Sequence, residues 1–387
     1  MDLQMATQKQ TSVALLVTMH LLFNEANNTN CVFSPLSINI LLSLIASGAK
    51  GSTLTQLLLF LKSNSVTSLS SLSSHLVHTV LADGTKSNGP QLFTPTRLWF
   101  QNSLSLNPSF GQIVRTSFSA SAVPADFVHK ASQVTKEVNS WVENETKGLI
   151  KDILPSDALD GMTISVIANA LYFKGAWNAK FNASNTQEGD FHLLNGEIVR
   201  VPFMTSAKDQ FVGVYEGFKV LRLPYYQGKD QRQFSMYFFL PDAIDGLLSM
   251  SQKVLSDPVV LLQYLPQRPV EIGKFKIPRF NLSYGFEASK LLMKMGLTSI
   301  FSNGEADLSG MFDSASGGGF FISEIFHKAF IEVNEEGTVA AAASVAVIEF
   351  GAFPISNIDF VADHPFLFII REDVSGVLLF TGKVLLP

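Results

Sequence analysis

Ten consecutive residues, Val339-Ala340-Ala341-Ala342-Ala343-Ser344-Val345-Ala346-Val347-Ile348, carry no charge and one hydroxyl. They follow directly on two acids, a glycine and a threonine, Glu335-Glu336-Gly337-Thr338. A surface loop is normally polar because its backbone stays hydrated, whereas a buried strand or helix can look like this run. The alanines favour helix. The β-branched Val339, Val345, Val347 and Ile348 favour strand. A segment so ambivalent is suited to two environments. Upstream, Ile325 to Asn334 alternates roughly in polarity, with Lys328 and Glu332 on one face and Ile325, His327, Ala329, Ile331 and Val333 on the other, which predicts a strand feeding into a pivot at Gly337. On local evidence the alternative is a strand, a turn and a second core strand.

The chain is 387 residues long with 47% hydrophobic residues, 32 of all residues being Phe, enough for a large aromatic-rich core. A net charge of −5 without a dense basic block makes nucleic acid, heparin and anionic membrane poor partners. The single Cys31 excludes an internal disulfide and, in its apolar context, reads as a buried inert thiol suited to a reducing compartment. Ser12 to Phe23 lacks a clear cleavage site and reads as an amphipathic first helix. The expected location is therefore cytoplasmic or nucleocytoplasmic rather than secreted, so the sequons at Asn27, Asn144, Asn182 and Asn281 carry no weight. No run approaches membrane-spanning length.

Residues to about 130 read mainly as helices, with the Ser-rich stretch Ser65 to Ser74 as a partly exposed connection between helices. Thr96 to Phe100 reads as the first long strand. From Ala168 onward strands dominate, including Val220 to Leu223, Phe234 to Leu240, Val270 to Ile272, Phe275 to Ile277 and Phe280 to Leu282. Ser316-Gly317-Gly318-Gly319 reads as a turn, and Ser375-Gly376 closes a last hairpin. Without repeats or a clean linker, one α+β domain over 1–387 is the expectation.

Little here is catalytic. His75 and His78 have a spacing that metals accept, yet no carboxylate or Cys joins them, so a solvated helix face is the simpler reading. Gly48-Ala49-Lys50-Gly51-Ser52-Thr53 has the wrong glycine spacing for a phosphate loop. No G-x-S-x-G, H-E-x-x-H or clustered Cys/His set occurs. No metal and no cofactor are expected, and the chain does not read as an enzyme.

Phe326-His327-Lys328-Ala329-Phe330-Ile331-Glu332-Val333-Asn334-Glu335-Glu336-Gly337-Thr338 followed by alanines closely resembles the proximal hinge of the serpins, protease inhibitors with a mobile reactive-centre loop. The resemblance extends almost end to end. It is carried by Val32-Phe33-Ser34-Pro35-Leu36-Ser37-Ile38, by Val138-Asn139-Ser140-Trp141-Val142 with Thr146, Gly148 and Ile150, and by Asn169-Ala170-Leu171-Tyr172-Phe173-Lys174-Gly175-Ala176-Trp177. Ala306-Asp307-Leu308-Ser309-Gly310-Met311 and Leu379-Phe380-Thr381-Gly382-Lys383-Val384 belong to the same set. The hinge and Asp363-His364-Pro365-Phe366 look most like plant serpins.

The resemblance implies a single α+β domain with three β-sheets, about nine helices and an exposed reactive-centre loop over about 335–358. It places the cleaved bond after the seventeenth loop residue counted from Glu335, at Gly351–Ala352, with Phe350 just before it. It implies that the cut loop inserts as a new strand, a known case of strand addition in this family. Thr338, Ala340, Ala342, Ser344 and Ala346 would then face inward, ahead of the bulkier Ile348 and Phe350, while Val339, Ala341 and Ala343 would face out. Val339 stands where the family usually has Glu. The resemblance further implies that His327 with Asn169, Ser34 and nearby Ser37 governs sheet opening. Glu335 is expected to pair with Arg279, where the family usually has Lys, with Trp177 packing nearby. The partner would be a protease held covalently, papain-like or chymotrypsin- or elastase-like since no Arg or Lys lies near the cleaved bond, and the inhibitor itself would be a monomer. The alternative within the same fold is a non-inhibitory binding or chaperone-like module.

Overall fold

The computed structural model describes residues 3–313, 320–338 and 358–387 of the chain. Ser34 opens the most buried helix, Pro35–Gly48: its hydroxyl accepts from the Ser37 N–H, and Pro35 occupies the first position, where a missing N–H costs nothing. Leu36, Ile38, Leu41, Leu42, Leu44 and Ile45 cover every side of it and are all buried. A helix apolar all round belongs inside, and this one packs on the first helix, Leu3–His20, and on the closing strand Leu378–Val384.

The strands form a six-stranded, a four-stranded and a seven-stranded sheet. With nine α-helices among the described residues they make an α+β architecture of the kind the resemblance implies. The largest sheet carries the hinge. Its central strand, Ser165–Ala176, pairs antiparallel with Thr96–Gln101, and next to it runs the hinge strand, Glu324–Val333. The hinge strand alternates as its sequence predicts, with Ile325, His327, Ala329, Ile331 and Val333 buried and Lys328, Phe330 and Glu332 half-buried. Phe326 is buried on the other face. There the helix Phe127–Glu145 crosses the sheet and closes a second core of Val134, Val138 and Val142 against Val166, Ala168, Ala170 and Phe326. Trp99 anchors it, donating from Nε1 to Glu137 (3.1 Å) and packing edge-on against Trp141 (5.2 Å).

Two sequence expectations are corrected. The Ser-rich stretch is a helix, Val66–His78: Ser65 caps it by accepting from the Ser68 N–H, and Leu69, Leu72, Leu76 and Val77 bury one stripe while the serines face outward or pack closely. Val270 to Ile272 forms only an isolated bridge between Val270 and Gln210, because Pro269 and Gly273 leave too short an extended run for a ladder. The Ser316–Gly319 turn lies outside the described residues. Cys31 is fully buried, and burial pushes its thiol well above the ordinary range. No described helix is long and apolar enough to cross a membrane.

Candidate functional site

The candidate site is the seam between the central strand and the hinge strand. Along most of its length the seam is closed. Glu324 to Phe330 pair in parallel with Val166 to Tyr172. At the top a third strand begins to separate them. Gly337 and Thr338 sit between the two, antiparallel to both, with Thr338 opposite Val333 on one side and Gly175 on the other.

A tight turn sends the chain back into the sheet. Asn334 N–H donates to Gly337 O (3.0 Å), and Asn334 Oδ1 accepts from the Glu336 and Gly337 N–H groups (3.0 and 3.3 Å). Gly337 has φ +150°, and a Cβ there would lie 2.1 Å from Gly175 O. Only glycine meets both the conformation and the close backbone approach.

Around the turn the polar groups are matched. Trp177 Nε1 donates to Asn334 O (2.9 Å), and the Trp177 and Phe181 N–H groups donate to Glu336 O (2.9 Å) and Glu335 O (3.0 Å). Glu335 is 8% exposed. Its carboxylate accepts from Thr186 Oγ1 (2.7 Å) and meets Arg279 at 3.7 Å. The expected Glu335–Arg279 pair is therefore present as one long contact rather than a fork, because Thr186 takes the other oxygen and half of the Arg279 side chain stays in water. Glu336 pairs with Lys180 (2.5 Å).

Thr338 points inward and is fully buried. Its hydroxyl bonds to the Tyr225 hydroxyl at 2.7 Å, and Tyr225 stacks on Trp177 with ring centroids 4.6 Å apart. Burial pushes the Tyr225 hydroxyl well above its usual range, so the pair is neutral. Tyr225, Thr186, Lys180 and Asn334 were not singled out in the sequence, since long-range partners leave no periodic trace there.

Lower in the seam His327 is completely buried. The Ser34 backbone N–H donates to its Nε2 (3.1 Å), so the proton of the neutral ring sits on Nδ1, which donates to Asn169 Oδ1 (2.8 Å). Asn169 Nδ2 donates in turn to Thr96 Oγ1 (2.7 Å). One chain of bonds thus joins the hinge strand, the central strand, its far neighbour and the buried helix. Ser34 takes part through its backbone, not its hydroxyl, which caps the helix. Ser37 supplies only the N–H for that cap, and its own Oγ is buried without a partner. Burial lowers the His327 pKa to about 3.

The outer face of the seam is tied down separately. Lys328 Nζ donates to Lys151 O (2.7 Å) and Asp152 O (3.3 Å), in the segment that returns from the crossing helix. Asn139 on that helix grips Leu154 through both backbone groups (3.0 and 2.9 Å). Beneath helix and segment lies a cavity of about 840 Å³ bordered by Thr135, Ile153, Phe286 and Phe326. Val339, Ala340, Ala341, Ala342, Ala343, Ser344, Phe350, Gly351 and Ala352 lie outside the described residues. Among the described residues no group of three or more metal-binding side chains converges.

A family profile described as "Serpin (serine protease inhibitor)" matches residues 8–387. Serpin-ZX of Arabidopsis thaliana is 50% identical, with both chains covered in full. Serpin-ZXA of Oryza sativa is 48% identical over this whole chain and 98% of its own. The structure of Arabidopsis AtSerpin1 in its "Native Stressed Conformation" superposes with a TM-score of 0.91 at 49% identity, covering 100% of this chain and 99% of that one. A strand barely started at the top of a seam still shut below, in a chain matched almost end to end, belongs to the serpin family, and the relatives named here are plant members of it.

Proposed function

We propose that this protein is a suicide-substrate inhibitor of proteases, with the seam as its spring. The observation that carries the reading is the two-residue strand Gly337–Thr338 wedged between strands that otherwise pair with each other. Continuing that strand downward would replace one parallel pairing with two antiparallel ones, the more stable kind per residue. Each backbone hydrogen bond gained contributes about 1 kcal/mol net. The inward positions that follow, Ala340, Ala342, Ser344 and Ala346, are small and uncharged, so they would enter without a desolvation penalty.

A protease attacking the bond after Gly351 first forms an acyl-enzyme with that carbonyl. Insertion that outruns deacylation would carry the protease with the loop and leave it trapped. The inhibitor contributes no catalytic group to this. Phe350 ahead of Gly351 suits papain-like enzymes, which favour a large apolar residue there, and Gly351 or Phe350 itself suits elastase- or chymotrypsin-like enzymes. The inhibitor would act as a monomer, in the cytoplasm or nucleocytoplasm.

Incubation with papain and with chymotrypsin, followed by denaturing electrophoresis, is expected to give a covalent band of summed mass. Mass spectrometry should locate the cut at Gly351–Ala352. Clean cleavage without that band would instead favour a non-inhibitory binding module.

A further inference from the structure

The hinge mechanism leaves unused a cavity of about 270 Å³ between the first helix, Leu3–His20, the buried helix Pro35–Gly48 and the helix Val66–His78. It shares no residue with the hinge or with the His327 chain. Its volume is about nine times the roughly 30 Å³ share of one water, so a single trapped water does not fill it. Leu61, Leu69 and Leu72 form apolar walls.

Two cations, Lys9 and Lys62, line the cavity, and no carboxylate does. Lys9 is half-buried and has no hydrogen-bond or ion-pair partner among the described residues. Lys62 donates to Ser12 Oγ (2.5 Å), which leaves two of its N–H groups open. Its backbone sits at φ +52° just past the helix Gly51–Phe60, where the Lys62 N–H donates to Leu59 O (3.1 Å) and the Ser63 N–H to Leu58 O (2.9 Å). Gly or Asn usually fills that place in a helix-closing turn. A lysine goes against the backbone preference there, and what it adds is an ammonium at the cavity. Asn39, on the buried helix, is 4% exposed, and its side-chain amide has no partner among the described residues. Folded proteins pair nearly all such groups. The Gln10 amide is sealed off from the cavity, whereas that of Asn39 is not.

We propose that this cavity binds a small monocarboxylate with an apolar body of about eight carbons, the size its volume admits. The carboxylate accepts from the Lys9 and Lys62 ammonium groups and from the Asn39 Nδ2, and the hydrocarbon lies against the leucines. A neutral alcohol of the same length would leave both cations without a counter-charge. An ammonium would be repelled by them. This assignment is independent of protease inhibition.

The test uses the intact chain and octanoate as probe, with octan-1-ol and octylammonium as controls. Titration calorimetry should show saturable binding of octanoate, at least tenfold weaker binding of octan-1-ol and none of octylammonium. Octanoate binding should fall at least tenfold in the double variant Lys9→Gln, Lys62→Asn. Its melting temperature should not drop, since asparagine suits the backbone at position 62. Asn39→Leu should weaken octanoate by at least threefold and leave octan-1-ol binding unchanged or tighter. Absence of octanoate binding, equal binding of either control, or octanoate binding that survives in the folded double variant would overturn the assignment.

Discussion

Single side chains meet across the closed seam at several heights. Thr338 is the clearest case, since its side chain lies fully buried against Tyr225. Thr338→Arg would force a charge into that place, at a cost of several kcal/mol. The variant is expected to be cleaved as a substrate without forming a covalent complex, as read on a denaturing gel. His327 and Glu324 make opposite pH predictions. His327 is held neutral with a pKa near 3, against an ordinary 6.5, so between those values the unfolded chain binds the proton and the native one does not. Stability should therefore fall as pH drops from about 6.5 towards 3. His327→Gln should flatten that slope in urea midpoints measured across the range. Glu324 is raised from 4.5 to about 7 by burial first and then by Glu287 and Asp160. Here the native chain holds the proton longer, so this contribution is full below about 4.5 and is lost as pH rises through about 7. Glu324→Gln is expected to raise the melting temperature at pH 8 and leave it unchanged near pH 4.

Among elements, the hinge turn is the piece on which the others depend. Asn334 to Gly337 reverses the chain within four residues, and the reversal works only because Gly337 brings no Cβ against Gly175. Gly337→Ala should expel the two-residue wedge, since the backbone it would strike is itself part of the sheet. Strain of this kind costs on the order of 1–3 kcal/mol. The expected signs are faster amide exchange at Gly175 and Ala176 and a changed Trp177 emission, because Trp177 binds the turn through both its N–H groups. The crossing helix sets the other limit. Lys328 and Asn139 fasten the segment after it over the seam, so any strand entering below Thr338 must pass beneath those ties.

At the scale of the whole molecule, cleavage should release a more stable form. A dozen new backbone bonds at about 1 kcal/mol each, set against the unfolding entropy of a chain this long, correspond to a rise on the order of 15 °C in melting temperature. Calorimetry on intact and loop-cleaved protein measures this directly, and equal midpoints would remove the spring. Much of the fold and of the closed seam was legible beforehand. Rough alternation from Ile325 to Val333 pointed to a strand with a continuous buried face, though not to the burial of Phe326 on the other, and Gly337 marked the turn. Ser65 to Ser74 misled because serine is common in connections, while the leucine spacing that made it a helix was sparse. Sequence alone thus determined what is written locally: periodicity, caps, the glycine that a turn requires, and which positions are small and uncharged. Tertiary structure decided that the seam is closed from Glu324 to Phe330, that Thr186 shares Glu335 with Arg279, and that His327 reaches Ser34 through a backbone N–H. Those pairings join residues far apart in the chain, and a hydrogen bond depends on distance and direction in space, which no run of neighbouring residues records.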